Sequence, residues 1–200
     1  MGIRELLASE RLELVTLLRT LTDAEWETPS LCAGWTVRDV VGHLLWDGIG
    51  PLAFGAIVAR NGFSVDKSNG YLVRKARALT TEQLVNKFEA ETGALSKFTP
   101  ILALADTLVH QQDIRRPLNR PRTIPAERLR WVLDNPDPFA FPWKRTDGLR
   151  FVATDLDWSK GRGPEVRGPG EALALAVGGR PVVLDELAGD GVAELRRRCS

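Results

Sequence analysis

Two apolar helical segments, which contain the only two histidines of the chain, constrain its fold most strongly. His43 lies in the segment 34–47 (GWTVRDVVGHLLWD), and His110 lies in the segment 106–118 (DTLVHQQDIRRPL). In the first segment Thr36 is a suitable N-cap, and Asp39 places a carboxylate in the first helical turn, where it favours helix formation. Apolar residues follow at helical spacing in both segments. We therefore expect a helical bundle in which these two helices face each other.

Helical periodicity extends over most of the first 135 residues. Leucines recur near a helical period over residues 3–20, which predicts an amphipathic helix. Residues 100–110 are apolar nearly all round, which predicts a central buried helix that Pro117 ends. Further helices are predicted at 37–59 (loosened near Gly50 and Pro51), 80–96 and 126–135.

The connection at residues 60–79 contains two Asn-Gly pairs, which are turn signals. A connection of this length is unusual in a tight bundle, so it is predicted to be a lid or binding loop. After residue 135 the pattern changes to a Pro-rich aromatic segment, a strand at 149–155, a second short strand and two small helices. The sequence predicts a mainly α protein with a helical domain at 1–135 and a small α/β extension at 136–200.

Composition and charge exclude several classes of partner. The 200 residues are 44% hydrophobic and 26% charged, which is enough apolar material for a sizeable core. A net charge of +1 gives no electrostatic reason to expect nucleic acid or a membrane surface as partner. The charged N-terminal helix is not a signal peptide, and the two cysteines form no disulfide or zinc-knuckle pattern. We therefore expect a cytoplasmic protein.

Asp106 and His110 are spaced to lie on one face of the buried helix, one turn apart. A buried carboxylate is costly unless it is paired or bound to a cation, and two arrangements satisfy it. The pair can be a structural one that hydrogen-bonds to itself and to neighbouring donors. Alternatively, Asp106 and His110 can join His43 in a site of two histidines and one carboxylate, with positions left open for water or substrate. The residues alone leave both interpretations open.

Three further side chains near the histidines in the sequence could take part in the site: Asp47, Asp113 and Cys32. Asp47 and Asp113 are potential ligands or acceptors for an imidazole N–H. We expect Asp47 to face solvent or to be such an acceptor, and Asp113 to bond the turn at 115–117. Cys32 has no base placed beside it by the sequence, so it is predicted to be an inert loop thiol. The chain has no G-x-S-x-G, P-loop or dinucleotide-binding motif.

The segment LTDAEWETPSLCAGWTVRDVVGHLLWD together with DTLVHQQDIRRPL resembles the DinB-like superfamily. Within it, the motifs are similar to those of the mycothiol-dependent maleylpyruvate isomerase branch, which is common in actinobacteria. The resemblance implies an up-down four-helix bundle with a small C-terminal α/β extension. It also implies a divalent metal, usually zinc, held by His43, Asp106 and His110. The carboxylate of this family is typically Glu, so Asp106 is one methylene shorter.

Two functions follow from this resemblance. The first is a metal-dependent transferase or isomerase that activates a low-molecular-weight thiol such as mycothiol for attack on an electrophile. In this case Arg115 and Arg116 would bind an anionic group of the thiol. The second is a non-catalytic DinB-like protein that binds a metal or small ligand in a stress-response or regulatory role. We expect a monomer or homodimer. A shared metal requires the ring nitrogens of the two histidines to lie within about 6 Å of each other.

Overall fold

A computed structural model of the protein describes residues 2–90 and 93–199, which divide into two compact units, Met1–Pro121 and Arg122–Ser200. In the described part of the first unit the helices are α1 (Ile3–Leu18), α2 (Asp23–Trp26), α3 (Val37–Leu44), α4 (Pro51–Arg60), α5 (Val65–Ala76), α6 (Thr81–Ala90) and α7 (Pro100–Arg115), with a 3₁₀ turn at Leu45–Gly48. None of the described helices has the length and hydropathy needed to cross a bilayer.

Four helices of the first unit form a closed ring of contacts. Helix α1 packs against α6 and α7, and α3 packs against the same two helices from the other side. Their inner faces share one apolar core, because the leucines and valines of the periodic segments recur on one side of each helix. Fully buried examples are Leu14, Val40, Leu84 and Ile114. The predicted four-helix bundle is confirmed.

The helix predicted at 37–59 is wrong as one continuous element. Helix α3 ends at Leu44, the 3₁₀ turn follows, and a new helix, α4, begins at Pro51. Gly50 has extended backbone angles (φ −60°, ψ 149°), as expected for a residue that precedes proline. Because proline has no N–H and suits only the first helical turn, Pro51 starts a helix here instead of bending one.

The lid predicted at residues 60–79 is also wrong, because most of this segment is helix α5. Its N-cap is Ser64, whose side chain accepts a hydrogen bond from the N–H of Lys67. Leu72, Val73 and Ala76 are buried, and α5 packs against α3. The apolar face of α5 therefore covers the bundle, and its burial outweighs the turn signal within the segment.

The close approach of α3 and α5 depends on Gly42, which gives a prediction for stability. A Cβ added at Gly42 would lie 2.6 Å from the Cβ of Ala76. We expect Gly42→Ala to lower the free energy of unfolding by about 1–3 kcal/mol, as overpacking of a core typically does. This loss should exceed the ~1 kcal/mol that alanine gains over glycine in helix propensity. Urea denaturation measures both effects.

Gly55 provides the matched control, because it lies within α4 and a Cβ added there meets nothing within 4 Å. We expect Gly55→Ala to leave the free energy of unfolding unchanged or to raise it slightly. Adding Ala76→Gly to Gly42→Ala should restore part of the lost stability. Equal stability of the two glycine variants would show that α5 can move away from α3 at no cost.

The second unit contains a three-stranded sheet with strand order β2-β1-β3. Its described elements are α8 (Ala126–Asp134), α9 (Trp143–Thr146), β1 (Arg150–Ala153), β2 (Ser159–Gly161), β3 (Glu165–Gly168), α10 (Gly170–Val177) and α11 (Val192–Arg198), with 3₁₀ turns at Pro138–Ala140 and Pro181–Glu186. Strand β1 pairs antiparallel with β2 and parallel with β3, with Phe151 opposite Lys160 and Val166. The predicted small α/β extension is confirmed.

Helix α8 belongs to this second unit, although the sequence prediction grouped it with the bundle. Helix α10 is apolar on nearly every side and packs against α8, β1 and β3. Leu129 and Val132 of α8 are buried. The domain boundary at residue 135 stays a prediction, whereas the chain divides into its two compact units after Pro121.

Candidate metal centre

His43 lies on helix α3, whose N-terminus is fixed by hydrogen bonds. Its first turn is closed by a capping box, in which the side chain of Thr36 accepts from the N–H of Asp39 and the carboxylate of Asp39 accepts from the N–H of Thr36. The same carboxylate accepts two further hydrogen bonds from Arg77, at 2.8 and 2.7 Å. Because α3 also packs against α7, the buried imidazole of His43 meets the central helix.

Helix α7 supplies the other two side chains, and the three converge on one point. The Oδ1 atom of Asp106 lies 3.2 Å from Nε2 of His110 and 3.5 Å from Nε2 of His43. The two imidazole rings have centroids 4.8 Å apart and are tilted by 70°. One potential ligand atom from each residue lies within 4.8 Å of the other two. The condition of about 6 Å between the ring nitrogens is therefore met.

The donor set fits a divalent metal in both chemistry and spacing. Imidazole nitrogen and carboxylate oxygen are zinc ligands with bonds near 2.0–2.2 Å, and ligand atoms at tetrahedral angles then lie ~3.3 Å apart. The two nitrogen–oxygen distances of 3.2 and 3.5 Å are close to this separation between ligand atoms. All three residues are more than four-fifths buried, and Nδ1 of His43 has no hydrogen-bond partner among the described residues. Three protein ligands leave room for a fourth, exchangeable one, as in catalytic sites.

Trp46 holds the second oxygen of the carboxylate. Its indole Nε1–H donates a hydrogen bond of 2.7 Å to Oδ2 of Asp106. The Trp46 ring also packs against Phe54 of α4, with ring centroids 6.2 Å apart. The sequence analysis missed this residue, because Trp46 and Asp106 are 60 positions apart and no local pattern joins them.

Asp113 holds the other nitrogen of His110. Its Oδ2 lies 2.8 Å from Nδ1 of His110, and its side chain is fully buried. A carboxylate at this position fixes the tautomer that carries its proton on Nδ1, which leaves the Nε2 lone pair directed at the cluster. Its position one helical turn beyond His110 brings the Asp113 carboxylate to the imidazole. The bond expected between Asp113 and the turn at 115–117 stays a prediction.

Cys32 contacts the same carboxylate. Its thiol donates to Oδ2 of Asp113 at 3.1 Å, and its sulfur lies 3.6 Å from Nδ1 of His110. The backbone N–H of Leu31 also donates to the carbonyl of Asp113. Cys32, His110 and Asp113 could themselves hold a cation by type and spacing. Their donor–acceptor distances are those of hydrogen bonds, so we interpret the group as the support that orients His110.

The protonation of the cluster follows from this geometry. Burial raises the pKa of Asp106, but His110 and His43 outweigh this effect and hold the pKa well below its usual value. Burial lowers the pKa of His110, but the charge of Asp106 and the hydrogen bonds to Asp106 and Asp113 raise it well above its usual value. The cluster therefore favours an ionised carboxylate, which is the form that ligates metals.

The remaining predicted residues lie elsewhere. Asp47 neither faces solvent nor contacts an imidazole, because its buried carboxylate pairs with Arg11 and accepts from Ser96. Arg115 donates to the side chain of Gln111 and to the carbonyl of Arg120 at the end of α7. Arg116 is half-buried at the same helix end. A role of Arg115 and Arg116 in binding a thiol stays a prediction.

Comparison with known proteins identifies a similar family for part of the chain. Residues 7–48 match the family described as the mycothiol maleylpyruvate isomerase N-terminal domain. The match includes His43 and Trp46, whereas Asp106 and His110 lie beyond it. The resemblance predicted from the motifs is confirmed.

Two solved structures share the fold over nearly the whole chain. They are crystal structures of the mycothiol-dependent maleylpyruvate isomerase and of a histidine-to-alanine mutant of it. Each has a TM-score of 0.62 and 16% sequence identity, over 95% of this chain and 93% of the other. At this identity the likeness shows the fold alone. No curated protein matches the sequence.

Proposed function

We propose that this protein is a metal-dependent enzyme that activates a low-molecular-weight thiol for isomerisation or transfer chemistry. The observation that carries the proposal is the convergence of His43, Asp106 and His110 on one point at metal-ligand spacing. The domain family and the similar solved structures support mycothiol as the thiol and maleylpyruvate as the first substrate to test.

The chain's own residues prepare this site in three ways. Neutral imidazoles of His43 and His110, with the ionised Asp106, would hold the metal. Asp113 keeps the proton of His110 on Nδ1, so that Nε2 is free to bind. Burial within the bundle keeps competing water away from the ligands. A divalent ion held by these residues would supply the Lewis acidity that lowers the pKa of a bound thiol and so favours its nucleophilic thiolate form.

Several finer features belong to the same proposal. Nitrogen and oxygen donors at tetrahedral spacing favour zinc as the metal. Arg115 and Arg116, at the end of α7, are our candidates for binding an anionic group of the thiol. A protein that uses such a thiol is expected in the reducing cytoplasm.

The test is to measure metal content and activity on the same preparation. Elemental analysis should find about one divalent ion per chain. With mycothiol present, the protein should isomerise maleylpyruvate or transfer the thiol to a fluorogenic bimane electrophile. His43→Ala removes one ligand and should lose both the metal and the activity. Circular dichroism and thermal unfolding of the variant check that the bundle is intact.

The possible outcomes separate enzyme from binder. A metal-loaded protein that is inactive with several thiols and electrophiles would support the non-catalytic alternative. Activity that survives in folded His43→Ala would show that this cluster is not the active site. Absence of metal in both proteins after reconstitution would contradict the proposal at its first step.

A further inference from the structure

The two oxygens of Asp106 have different surroundings. Oδ1 lies between the Nε2 atoms of His43 and His110, at 3.5 and 3.2 Å. Oδ2 accepts the indole N–H of Trp46 at 2.7 Å. A carboxylate can bind a metal through one oxygen or both, and a hydrogen bond to one oxygen opposes its ligation. The side chain therefore offers one oxygen to the cluster while the other is occupied.

Asp47, the residue after Trp46, anchors the 3₁₀ turn that contains both of them. The buried carboxylate of Asp47 pairs with Arg11 of α1 and accepts hydrogen bonds from the N–H groups of Gly93, Leu95 and Ser96. The hydroxyl of Ser96 adds one more, at 2.9 Å. These bonds tie the 3₁₀ turn to two other parts of the bundle. The indole N–H consequently has a fixed position beside Asp106.

We propose that Trp46 is a positioning residue that keeps Asp106 a one-oxygen ligand and so reserves a coordination position for the thiol. This inference rests on the proposed function. A carboxylate that bound through both oxygens would raise the coordination number and occupy the place where a thiol enters. Asp106 contacts the two imidazoles through Oδ1 and the indole through Oδ2, so one short side chain serves three partners.

A merely structural role for Trp46 makes a different prediction. The indole also contacts Phe54 and satisfies a buried oxygen, and both contacts would stabilise the fold without any metal. If that were its whole role, replacing Trp46 would lower thermal stability and leave metal coordination unchanged. The test must therefore report on coordination directly.

Cobalt(II) is the probe, because its visible absorption is intense at four-coordinate sites and weak at higher coordination numbers. The protein is loaded with Co²⁺, and the spectra of wild type, Trp46→Phe and Trp35→Phe are compared. Trp35→Phe is the matched control, since its ring packs on His43 (centroids 5.3 Å apart) and no hydrogen bond joins it to Asp106. We expect a several-fold loss of visible absorption in Trp46→Phe alone. The apparent affinity for mycothiol should fall ~10-fold or more in the same variant, as for the loss of an outer-shell partner.

A second variant covers the case in which Trp46→Phe does not fold. Trp46→benzothienylalanine, introduced at this site only, keeps the shape of the ring and its packing on Phe54 but has no N–H. It should show the same loss of Co²⁺ absorption at nearly unchanged thermal stability. Wild-type spectra in both variants, with unchanged thiol affinity, would overturn the role of Trp46 alone. Failure of the wild type to bind Co²⁺ at all would instead overturn the proposed function.

Discussion

Asp106→Ala is expected to abolish metal binding almost completely. The Oδ1 atom of Asp106 lies within 3.5 Å of both Nε2 atoms, and the variant keeps only two of the three proposed ligands. We expect the affinity for Zn²⁺ to fall by more than the ~100-fold that loss of an outer-shell partner can cost. Competition with a chromogenic zinc chelator measures it, and the thiol-dependent activity should disappear in parallel.

The control for this variant is Asp66→Ala, which removes an exposed carboxylate near the start of α5. Its zinc affinity should equal that of the wild type. If Asp106→Ala bound zinc as tightly as Asp66→Ala, the three-residue cluster would be a structural polar group, which is the interpretation that the sequence left open.

Asp106→Glu addresses the length of the side chain. The resemblance implies Glu at this position, whereas the structure shows Asp already in contact with both imidazoles and with Trp46. An added methylene must displace at least one of these contacts. We therefore expect zinc to bind, but ~10-fold more weakly, as when one outer-shell contact is lost. Tighter binding by the Glu variant would show that the bundle accommodates the longer arm.

The fold was largely predictable from periodicity, and the errors of that prediction have identifiable physical causes. The leucine pattern of α1 and the apolar run of α7 specify helices at nearly the observed bounds. The loop prediction at 60–79 failed because it treated both Asn-Gly pairs as turns, and only the first of them is one. Gly62 has a positive φ of 66° and does end a helix, whereas Gly70 lies inside α5. Burial of Leu72 and Val73 against the bundle decided the second case, and a local signal cannot show that burial.

The candidate site was predictable only in part. Helical spacing alone places Asp106 and His110 on one face, but the approach of His43 depends on how α3 packs against α7. The residues alone gave His43 as the third ligand in one of two open interpretations, and the motif resemblance favoured that interpretation. Cys32 and Trp46 were missed because their partners lie 81 and 60 positions away. Contacts between residues so far apart produce no periodic pattern in the sequence, so they can be identified only from the packed structure.

The largest effect on stability is expected from Asp47→Ala. Asp47 and Arg11 form a buried ion pair, with side chains 4% and 13% exposed, and three backbone N–H groups and a hydroxyl also donate to the carboxylate. Removing one partner of a buried pair leaves the other charge uncompensated, so the free energy of unfolding should fall by about 3–5 kcal/mol. Urea denaturation measures it. Glu89→Ala, which breaks the half-exposed pair with Arg19, should cost less than about 1 kcal/mol.

The same carboxylate should make the protein sensitive to acid. Burial raises the pKa of Asp47, but Arg11 and the hydrogen bonds from Ser96 and Gly93 outweigh this effect and lower the pKa below its usual value. A carboxylate whose pKa is lowered by folding stabilises the protein above the unfolded-state value, near pH ~4, and this contribution is lost as the pH falls towards the folded-state value. Asp47→Asn should therefore lose less stability than the wild type between about pH 5 and pH 2. Asp39, whose pKa is also lowered although burial opposes it, remains in the variant and keeps part of the dependence. Parallel stability curves for the two proteins would show that the ion pair with Arg11 does not set the acid limit of the bundle.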